Sequence, residues 1–266
     1  MSDPALVDLL RDATRVVGFT GAGVSTESGI PDFRSPGGVW TRYDPMDFTF
    51  GRYVESAEVR ARSWEMRREF FATPFEPNPA HHAFAALEAA GRSRGVITQN
   101  IDGLHQAAGS REVVELHGTA VAVMCIGHAD TIRGTGTPDG CGFHEHYTWA
   151  LAQVDAGDPD PHCPRCGGLV KSATVSFEQV LFPGVVERAY GLAATCDLMV
   201  AAGSSLQVYP AAGLPQVAVG HGARLVIVND EETPLDDLAT LVVRGKAGET
   251  LGPAVAEIVG GSAGSG

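Results

Sequence analysis

The stretch RVVGFTGAG, residues 15–23, joins an apolar run to a glycine-rich turn. The run predicts a buried strand, and the glycines predict a tight turn from that strand into a helix. Such turns let the backbone approach a pyrophosphate, whose charge is stabilised by the N–H groups at the helix start. The turn alone is a weak signal, because Thr26 stands where the third glycine of the dinucleotide fingerprint would be, and a tight turn needs no ligand.

Short apolar runs and helical patterns alternate through the rest of the chain. Strands are predicted at residues 95–98, 198–202, 224–228 and 241–243, and helices at about 4–13, 53–71 and 249–259. Residues 31–51 are interrupted by prolines and glycines and predict a long loop. Strands that alternate with helices favour an α/β, Rossmann-like fold, in which helices cover both faces of a parallel sheet.

The composition limits the possible function classes. The chain has 266 residues, 44% of them hydrophobic, and a formal net charge of −13. The hydrophobic share excludes general disorder. The acidic charge argues against nucleic acid as the main ligand, since no large basic field would attract phosphates. Neither a secretory signal nor a membrane-spanning apolar run is recognisable, so we expect a cytoplasmic protein without a membrane partner.

Four of the five cysteines fall between residues 125 and 166. Cys163-Pro-Arg-Cys166 has the spacing of a zinc knuckle, in which two thiolates share one tetrahedral ion. The remaining ligands are either Cys125 and Cys141, or Cys125 and His128. We favour the four cysteines, because the pair at 141–142 repeats the Cys-Gly ending of the knuckle. Four protein ligands would make the zinc structural; cysteines that bind no metal are the alternative.

These patterns divide the chain into four parts. The predicted Rossmann-like domain comprises residues 1–38, 81–120 and 169–259, and a helical and loop segment comprises residues 39–80. Residues 121–168 are the smaller inserted zinc-binding module, and residues 260–266 are a flexible tail rich in glycine and serine.

Polar residues follow two of the apolar runs. Asn100 and Asp102 come just after the strand at 95–98, where parallel sheets present groups to ligands. An Asn side chain suits ribose hydroxyls and an Asp accepts from a carboxamide, although both residue types also cap turns. His117 follows the apolar residues 113–114 and is a candidate general base, whereas a lone histidine is more often structural.

The continuation of the glycine turn, GAGVSTESGIPDFRSPGGVW at residues 21–40, resembles the bacterial members of the sirtuin family, which are NAD-dependent protein deacylases. Further stretches resemble the other signatures of that family, in its order: TQNIDGLH at 98–105, ELHG at 115–118 and GSSLQVYP at 203–210. Together with the cysteine-rich insertion and Ile227-Val-Asn229, the resemblance covers about residues 15–250.

The resemblance implies an enzyme that removes acyl groups from lysine in proteins or peptides, with NAD and zinc as cofactors. The amide oxygen of the acyl-lysine would attack the anomeric carbon of the nicotinamide ribose and expel nicotinamide. His117 would then deprotonate a ribose hydroxyl, and the products would be lysine, nicotinamide and O-acyl-ADP-ribose.

The same resemblance implies the residues of the site. His117 and Asn100 would be catalytic, and Asp102 would hold the nicotinamide carboxamide. The implied NAD contacts are Gly21, Ala22, Gly23, Ser25, Thr26, Glu27, Asp32, Phe33, Arg34, Trp40, Gln99, Asn100, Ile101, Asp102, His117, Gly203, Ser204, Ser205, Asn229 and Ala247.

Two departures from the family pattern concern the substrate. Glu178 stands where sirtuins have the glycine of a Phe-Gly-Glu stretch whose backbone pairs with the substrate peptide. A charged side chain there would narrow the peptide site or favour basic substrates. Sirtuins that remove acidic acyl groups carry a Tyr-x-x-Arg pair where this chain has Trp64-Glu-Met-Arg67. Arg67 therefore either pairs with an acyl carboxylate or is a solvated charge.

Two other functions stay open. Mono-ADP-ribosyl transfer from the same NAD site begins with the same bond cleavage but would not require acyl-lysine. A non-catalytic NAD-sensing or zinc-ribbon adaptor is disfavoured by the acidic charge and by the presence of both Asn100 and His117. The acidic residue that follows the glycines of usual dinucleotide folds has no clear counterpart, which disfavours a hydride-transferring dehydrogenase.

Overall fold

The computed structural model describes residues 2–32, 36–132 and 140–260. Its centre is a six-stranded sheet in which neighbouring strands are parallel. The strands are β1 (Val16–Thr20), β2 (Ser93–Thr98), β3 (Val113–Glu115), β7 (Leu198–Ala202), β8 (Arg224–Val228) and β9 (Leu241–Val243). The predicted α/β, Rossmann-like class is confirmed.

The strand order is β3-β2-β1-β7-β8-β9, so successive strands are added on one side of β1 and then, from β7 onwards, on the other. In open α/β sheets, ligands bind outside the carboxyl ends of the strands at such a switch point. The turn that follows β1 is the glycine-rich stretch, and the turn that follows β7 begins at Gly203. The two motifs are therefore neighbours although they are far apart in the chain.

Alternate residues of the strands face two helical layers, as the two-residue period of a strand requires. Val16 packs in a core with α1 (Pro4–Asp12), α4 (Pro79–Ala89) and α9 (Ala247–Gly260). Val17 packs in a second core with α7 (Pro183–Thr195) and α8 (Leu214–Gly220). The short helix α5 (Leu104–Ala107) follows β2. Burial on both faces explains why these strands read as continuous apolar runs.

A second, smaller sheet is antiparallel and has the order β5-β4-β6. Its strands are β4 (Gly118–Gly127), β5 (His144–His146) and β6 (Leu169–Thr174). Three helices pack against this sheet: α2 (Phe50–Glu55), α3 (Ala57–Phe70) and α6 (Tyr147–Asp155). Trp64 of α3 is fully buried against Val123 of β4 and Cys163. The predicted module limits of 121–168 leave β6 outside, whereas β6 pairs with β4.

One predicted helix is divided into two in the structure. The helix expected at residues 53–71 is two helices, because Ser56 has extended backbone and its side chain accepts a hydrogen bond from Val59 N–H, as a helix N-cap does. The first of the two, α2, also begins inside the predicted loop at 31–51. Within the described ranges, no helix combines the length and the apolar character needed to cross a bilayer.

Candidate active site

Two loops meet at the switch point. The backbone N–H of Gly23 donates to the Gly203 carbonyl over 2.9 Å. A Cβ added to Gly23 would lie 2.9 Å from Gly203 Cα, and one added to Gly203, whose φ is +58°, would lie 2.2 Å from the nitrogen of Val24. The sequence explained the glycines by the approach of a pyrophosphate. The structure adds a second reason, which is the contact of the two loops with each other.

Three predicted side chains form one hydrogen-bonded group. The buried hydroxyl of Ser25 donates to Asp102 Oδ2 over 2.7 Å. The Asn100 amide donates to Ser25 Oγ over 3.0 Å and to the Gly21 carbonyl over 3.1 Å. Asp102 Oδ1 also accepts from Leu104 N–H, so its turn-capping role is present as well. The glycine turn and the segment after β2 therefore share one polar cluster.

His117 lies half-buried in the turn between β3 and β4, and its Nδ1 is 2.9 Å from the Gln99 carbonyl oxygen. A carbonyl only accepts, so Nδ1 carries the proton and Nε2 carries the lone pair. Burial lowers the pKa of His117 below its ordinary value of 6.5, and the bond to Gln99 opposes that shift. A neutral imidazole with an unprotonated Nε2 is what a general base requires.

Gln99 also ties the two loops together, since its amide donates to the buried Ser204 hydroxyl over 2.9 Å. Ser205 follows in the same loop. Asn229 lies after β8 at the same edge of the sheet, where its side chain donates to the Glu231 carbonyl over 2.9 Å. The structure thus brings the predicted residues that follow five of the strands, β1, β2, β3, β7 and β8, to one edge of the sheet.

Glu27 has a partner far away in the chain. The backbone N–H of Gly248 donates to Glu27 Oε2 over 2.7 Å, beside the buried Ala247 that begins α9. A carboxylate at a helix start satisfies an otherwise unpaired N–H and suits the helix dipole. Glu27 therefore has a structural role, and its predicted contact with NAD stays a prediction.

The other predicted contacts are described by their local structure and hydrogen bonds. Ala22 begins a short 3-10 turn, and the exposed Thr26 donates its hydroxyl to the Gly23 carbonyl over 2.9 Å. The Ile101 carbonyl accepts from Ala120 N–H over 2.8 Å, and that of Asp32 accepts from Val39 N–H over 2.9 Å. The predicted residues Phe33 and Arg34, and the side chain of Trp40, lie outside what the structure describes.

Several buried polar residues beneath the site were not predicted from the sequence: Thr20, Asn78, His81, Thr98 and His105. The Asn78 amide donates to the Val24 carbonyl over 2.7 Å and to Ser28 Oγ over 2.9 Å, so it holds the glycine-rich segment against α4. Asn followed by Pro was a visible helix-start signal. The histidines had no comparable signal, because a polar residue in an apolar stretch does not reveal its partner.

The predicted zinc ligands cluster as expected. The thiols of Cys125, Cys141, Cys163 and Cys166 lie within 4.8 Å of one another, while His128 is exposed and outside this group. The knuckle closes through a 2.8 Å bond from Gly167 N–H to the Cys163 carbonyl. The N–H of Phe143 is the largest cause that lowers the pKa of Cys141, to about 7. Four thiols at this spacing are consistent with a closed, tetrahedral zinc site.

Glu178 and Arg67, the two positions where the sequence departs from the family pattern near the expected substrate, have different surroundings. Glu178 is exposed and has a φ of +71°, in the left-handed region that favours glycine. One of its carboxylate oxygens lies 3.8 Å from a Cβ built on Gly51, near the start of α2. Arg67 is partly buried, unlike its exposed neighbour Arg68, and burial lowers its pKa. Its surroundings therefore disfavour a fully solvated charge.

Fold and site together define a class: a doubly wound, nucleotide-binding type of sheet with a polar cluster at its switch point and a four-cysteine centre in a second sheet. The sequence profile of the Sir2 family matches residues 21–210. The chain belongs to the Sir2 family.

Named relatives cover nearly the whole chain. The NAD-dependent protein deacetylase 2 of Streptomyces coelicolor is 48% identical over 237 residues, which are 88% of this chain and 93% of the relative. The NAD-dependent protein deacetylase 1 of Bradyrhizobium diazoefficiens is 46% identical over 255 residues, 94% of each chain. A solved Sir2 complex with a p53 peptide and NAD+ is 36% identical, with a TM-score of 0.82 over 98% of this chain and 99% of the other.

Proposed function

We propose that this protein is an NAD-dependent protein-lysine deacylase, which transfers the acyl group to ADP-ribose and releases nicotinamide. Membership of the Sir2 family and the names of the similar deacetylases support this function. The observation that carries it is the orientation of His117. Its Nδ1 is bound to the Gln99 carbonyl, so Nε2 is left to accept a proton. Gln99 directly precedes Asn100, so this bond holds His117 next to the polar cluster that contains Asn100.

The donors and acceptors at the switch point fit NAD. Ser25, Asn100 and Asp102 supply a hydroxyl, an amide and a carboxylate in one cluster, which suits ribose hydroxyls and a nicotinamide carboxamide. We assign the phosphates to the loops at Gly23 and Gly203, where no side chain keeps a pyrophosphate away from the backbone. The remaining predicted contacts, Asn229 and Ala247 among them, would line the adenosine end.

When bound, NAD supplies the ADP-ribose that accepts the acyl group, with nicotinamide as the leaving group. His117 Nε2 takes a proton from a ribose hydroxyl, and its lowered pKa keeps it unprotonated at neutral pH. Asp102 orients the carboxamide, while Asn100 orients the ribose. Ser25, which bonds both side chains, fixes their spacing.

Zinc would be structural. The four thiols fill the four positions of a tetrahedral ion, which leaves none for a substrate or water. Cys125 lies on β4 and the knuckle of Cys163 and Cys166 lies just before β6. The ion would therefore fasten the end of the small sheet, and its binding energy would contribute to folding.

The substrates would be acyl-lysine residues of proteins or peptides, as the solved Sir2 complexes with p53 peptides suggest for those enzymes. The net charge of −13 does not favour nucleic acid or an anionic membrane surface as the main partner. A cytoplasmic location suits four thiols that must stay reduced to bind metal.

Nicotinamide release from NAD by the purified protein tests this function, with and without acetyl-lysine and succinyl-lysine peptides. We expect release that depends on one of the peptides, together with O-acyl-ADP-ribose. His117→Ala should reduce the formation of O-acyl-ADP-ribose by at least about 100-fold, because the general base acts after nicotinamide has left. His221→Ala changes an exposed histidine at the end of α8 and should keep full activity. Peptide-independent ADP-ribosylation of protein would support the transferase instead, and NAD binding without turnover would support an adaptor.

A further inference from the structure

Two buried histidines lie beneath the candidate site, and one nitrogen of each is unpaired. His81 and His105 are 0% and 1% exposed, and their rings meet edge to face with centroids 4.8 Å apart. Neither His81 Nε2 nor His105 Nδ1 has a hydrogen-bond partner among the described residues. Buried polar atoms in native proteins are nearly always paired with protein or with ordered water. Two unpaired atoms on adjacent rings therefore call for one shared explanation.

The protonation of His81 is set by the helix start. Its Nδ1 accepts from the backbone N–H of Asn78 over 3.2 Å, within the capping box of α4. Burial lowers the pKa of His81 to about 4, against the opposing charge of Asp102, so the ring is neutral at physiological pH. A neutral ring whose Nδ1 accepts must carry its proton on Nε2. The unpaired atom of His81 is therefore a donor.

The protonation of His105 is set by two threonines. Its Nε2 lies 2.9 Å from Thr20 Oγ1, and the Thr20 hydroxyl donates its single proton to Thr98 Oγ1. His105 Nε2 must then be the donor to Thr20, which leaves Nδ1 as an acceptor. Burial lowers the pKa of His105 to about 3, so this ring is neutral too. The two unpaired nitrogens are complementary, one a donor and the other an acceptor.

The hydrogen bonds around each histidine connect it to a different segment of the site. Behind His81, the Asn78 side chain holds the Val24 carbonyl and Ser28 of the glycine-rich segment. Behind His105, the chain of hydroxyls ends at Thr98 Oγ1, which accepts from the backbone N–H of Asn100 over 3.0 Å. A link between the two rings would join the glycine-rich segment to Asn100.

We propose that a single buried water bridges His81 Nε2 and His105 Nδ1, and that both histidines are positioning residues that hold the glycine-rich segment and Asn100 in register for NAD. A water that makes two hydrogen bonds of about 2.9 Å each joins atoms up to about 5.8 Å apart, and the centroids of the two rings are 4.8 Å apart. The water accepts from His81 and donates to His105, which satisfies both atoms with the correct polarity. The role toward NAD rests on the proposed function, whereas the bridge does not.

Ring nitrogen NMR of protein labelled with 15N-histidine tests the bridge without any turnover. We expect both rings as the Nε2–H tautomer, with unchanged shifts from about pH 8 to about pH 5.5, because both pKa values lie well below that range. Single variants assign the signals. A proton on Nδ1 of His105, or protonation of either ring in that range, would overturn the proposal.

Two substitutions at His81 separate positioning from helix capping. His81→Asn keeps an acceptor near Nδ1 and removes the Nε2 donor, so we expect the Kd for NAD to rise about 10-fold with little change in Tm. His81→Gln keeps an amide donor near Nε2 and removes the cap acceptor, so Tm should fall while the Kd stays within about threefold of wild type. His82→Asn, at the exposed neighbour on α4, is the control and should change neither quantity.

Titration calorimetry gives the Kd without catalysis. Equal losses of NAD affinity in the two His81 variants, or a lower Tm as the only effect of His81→Asn, would refute the positioning role. Wild-type protein that binds no NAD would refute the proposed function instead, and the tautomers would still decide whether the bridge exists.

Discussion

Gly203 contacts Val24 so closely that a methyl group on Gly203 would lie 2.2 Å from the Val24 nitrogen. Gly203→Ala should therefore cost more than about 3 kcal/mol of unfolding free energy, since a positive φ adds roughly 1–2 kcal/mol to the collision. Gly91→Ala is the matched control, because Gly91 has a φ of +71° and no atom within 4 Å of an added Cβ. It should cost only the φ term of about 1 kcal/mol. Urea unfolding measures both, and equal losses would show that the contact between the loops tolerates a side chain.

The zinc centre can be tested by metal content. We expect one zinc per wild-type chain and per His128→Ala chain, because His128 lies outside the cluster of four thiols. Cys141→Ser should lose the metal and should unfold at a lower temperature, since the ion fastens β4 to the knuckle. Atomic absorption after dialysis reports the stoichiometry. A Cys141→Ser chain that keeps its zinc, with loss from His128→Ala, would support the other ligand set.

The pH dependence of catalysis should reflect His117. The base must be neutral, and falling pH protonates it, so kcat/KM should decline on the acid side. Because burial lowers the pKa of His117 below 6.5, the midpoint of that decline should also lie below 6.5. Initial rates over a range of pH, with NAD and peptide below saturation, give the profile. A midpoint above 6.5 would mean that a different group controls the acid limb.

The sequence was most informative where one local pattern determines the structure. The run at Val16 to Thr20 has no polar alternation, so its burial on both faces was predictable, and the strand is where expected. The spacing of Cys163 and Cys166 likewise predicted a metal centre. The sequence left open whether His128 or Cys141 completes it, because residues far apart in the chain supply the other ligands.

Long-range polar contacts were not predictable. No pattern in the sequence indicated that Glu27 accepts from Gly248, a residue 221 positions away; its expected contact with NAD stays a prediction. The same lack of a sequence signal holds for His105, which meets Thr20 of β1 and the ring of His81 on α4. The break at Ser56 was missed for a local reason: a serine within a charged helical stretch reads as a surface position unless its capping bond is known.

Lys171 should make stability depend on pH above neutrality. This lysine on β6 is buried, and burial, aided by the charge of Arg67, lowers its pKa from 10.5 to about 7. Between these values the unfolded chain holds a proton that the folded chain lacks, so stability should rise with pH. The slope from one such group is at most about 1.4 kcal/mol per pH unit.

Lys171→Met should remove this part of the slope. The unfolding free energy of the variant minus that of wild type should therefore fall as the pH rises from about 7 to about 9. Lys246→Met changes an exposed lysine and should leave the slope unaltered. Urea unfolding at several pH values in that range provides the measurement. A constant difference between Lys171→Met and wild type would show that Lys171 keeps its proton in the folded protein.

Glu178 should restrain both stability and substrate use. Its φ of +71° is one that glycine adopts without cost, so Glu178→Gly should stabilise the protein by up to about 1 kcal/mol. At the edge of the proposed peptide site, loss of the side chain should also raise kcat/KM on several unrelated acyl peptides. Glu178→Gln keeps the shape and the backbone strain but removes the charge, so a gain in both variants would assign the restraint to charge. A gain only in Glu178→Gly would assign it to size or strain, and no change with any peptide would refute a gating role.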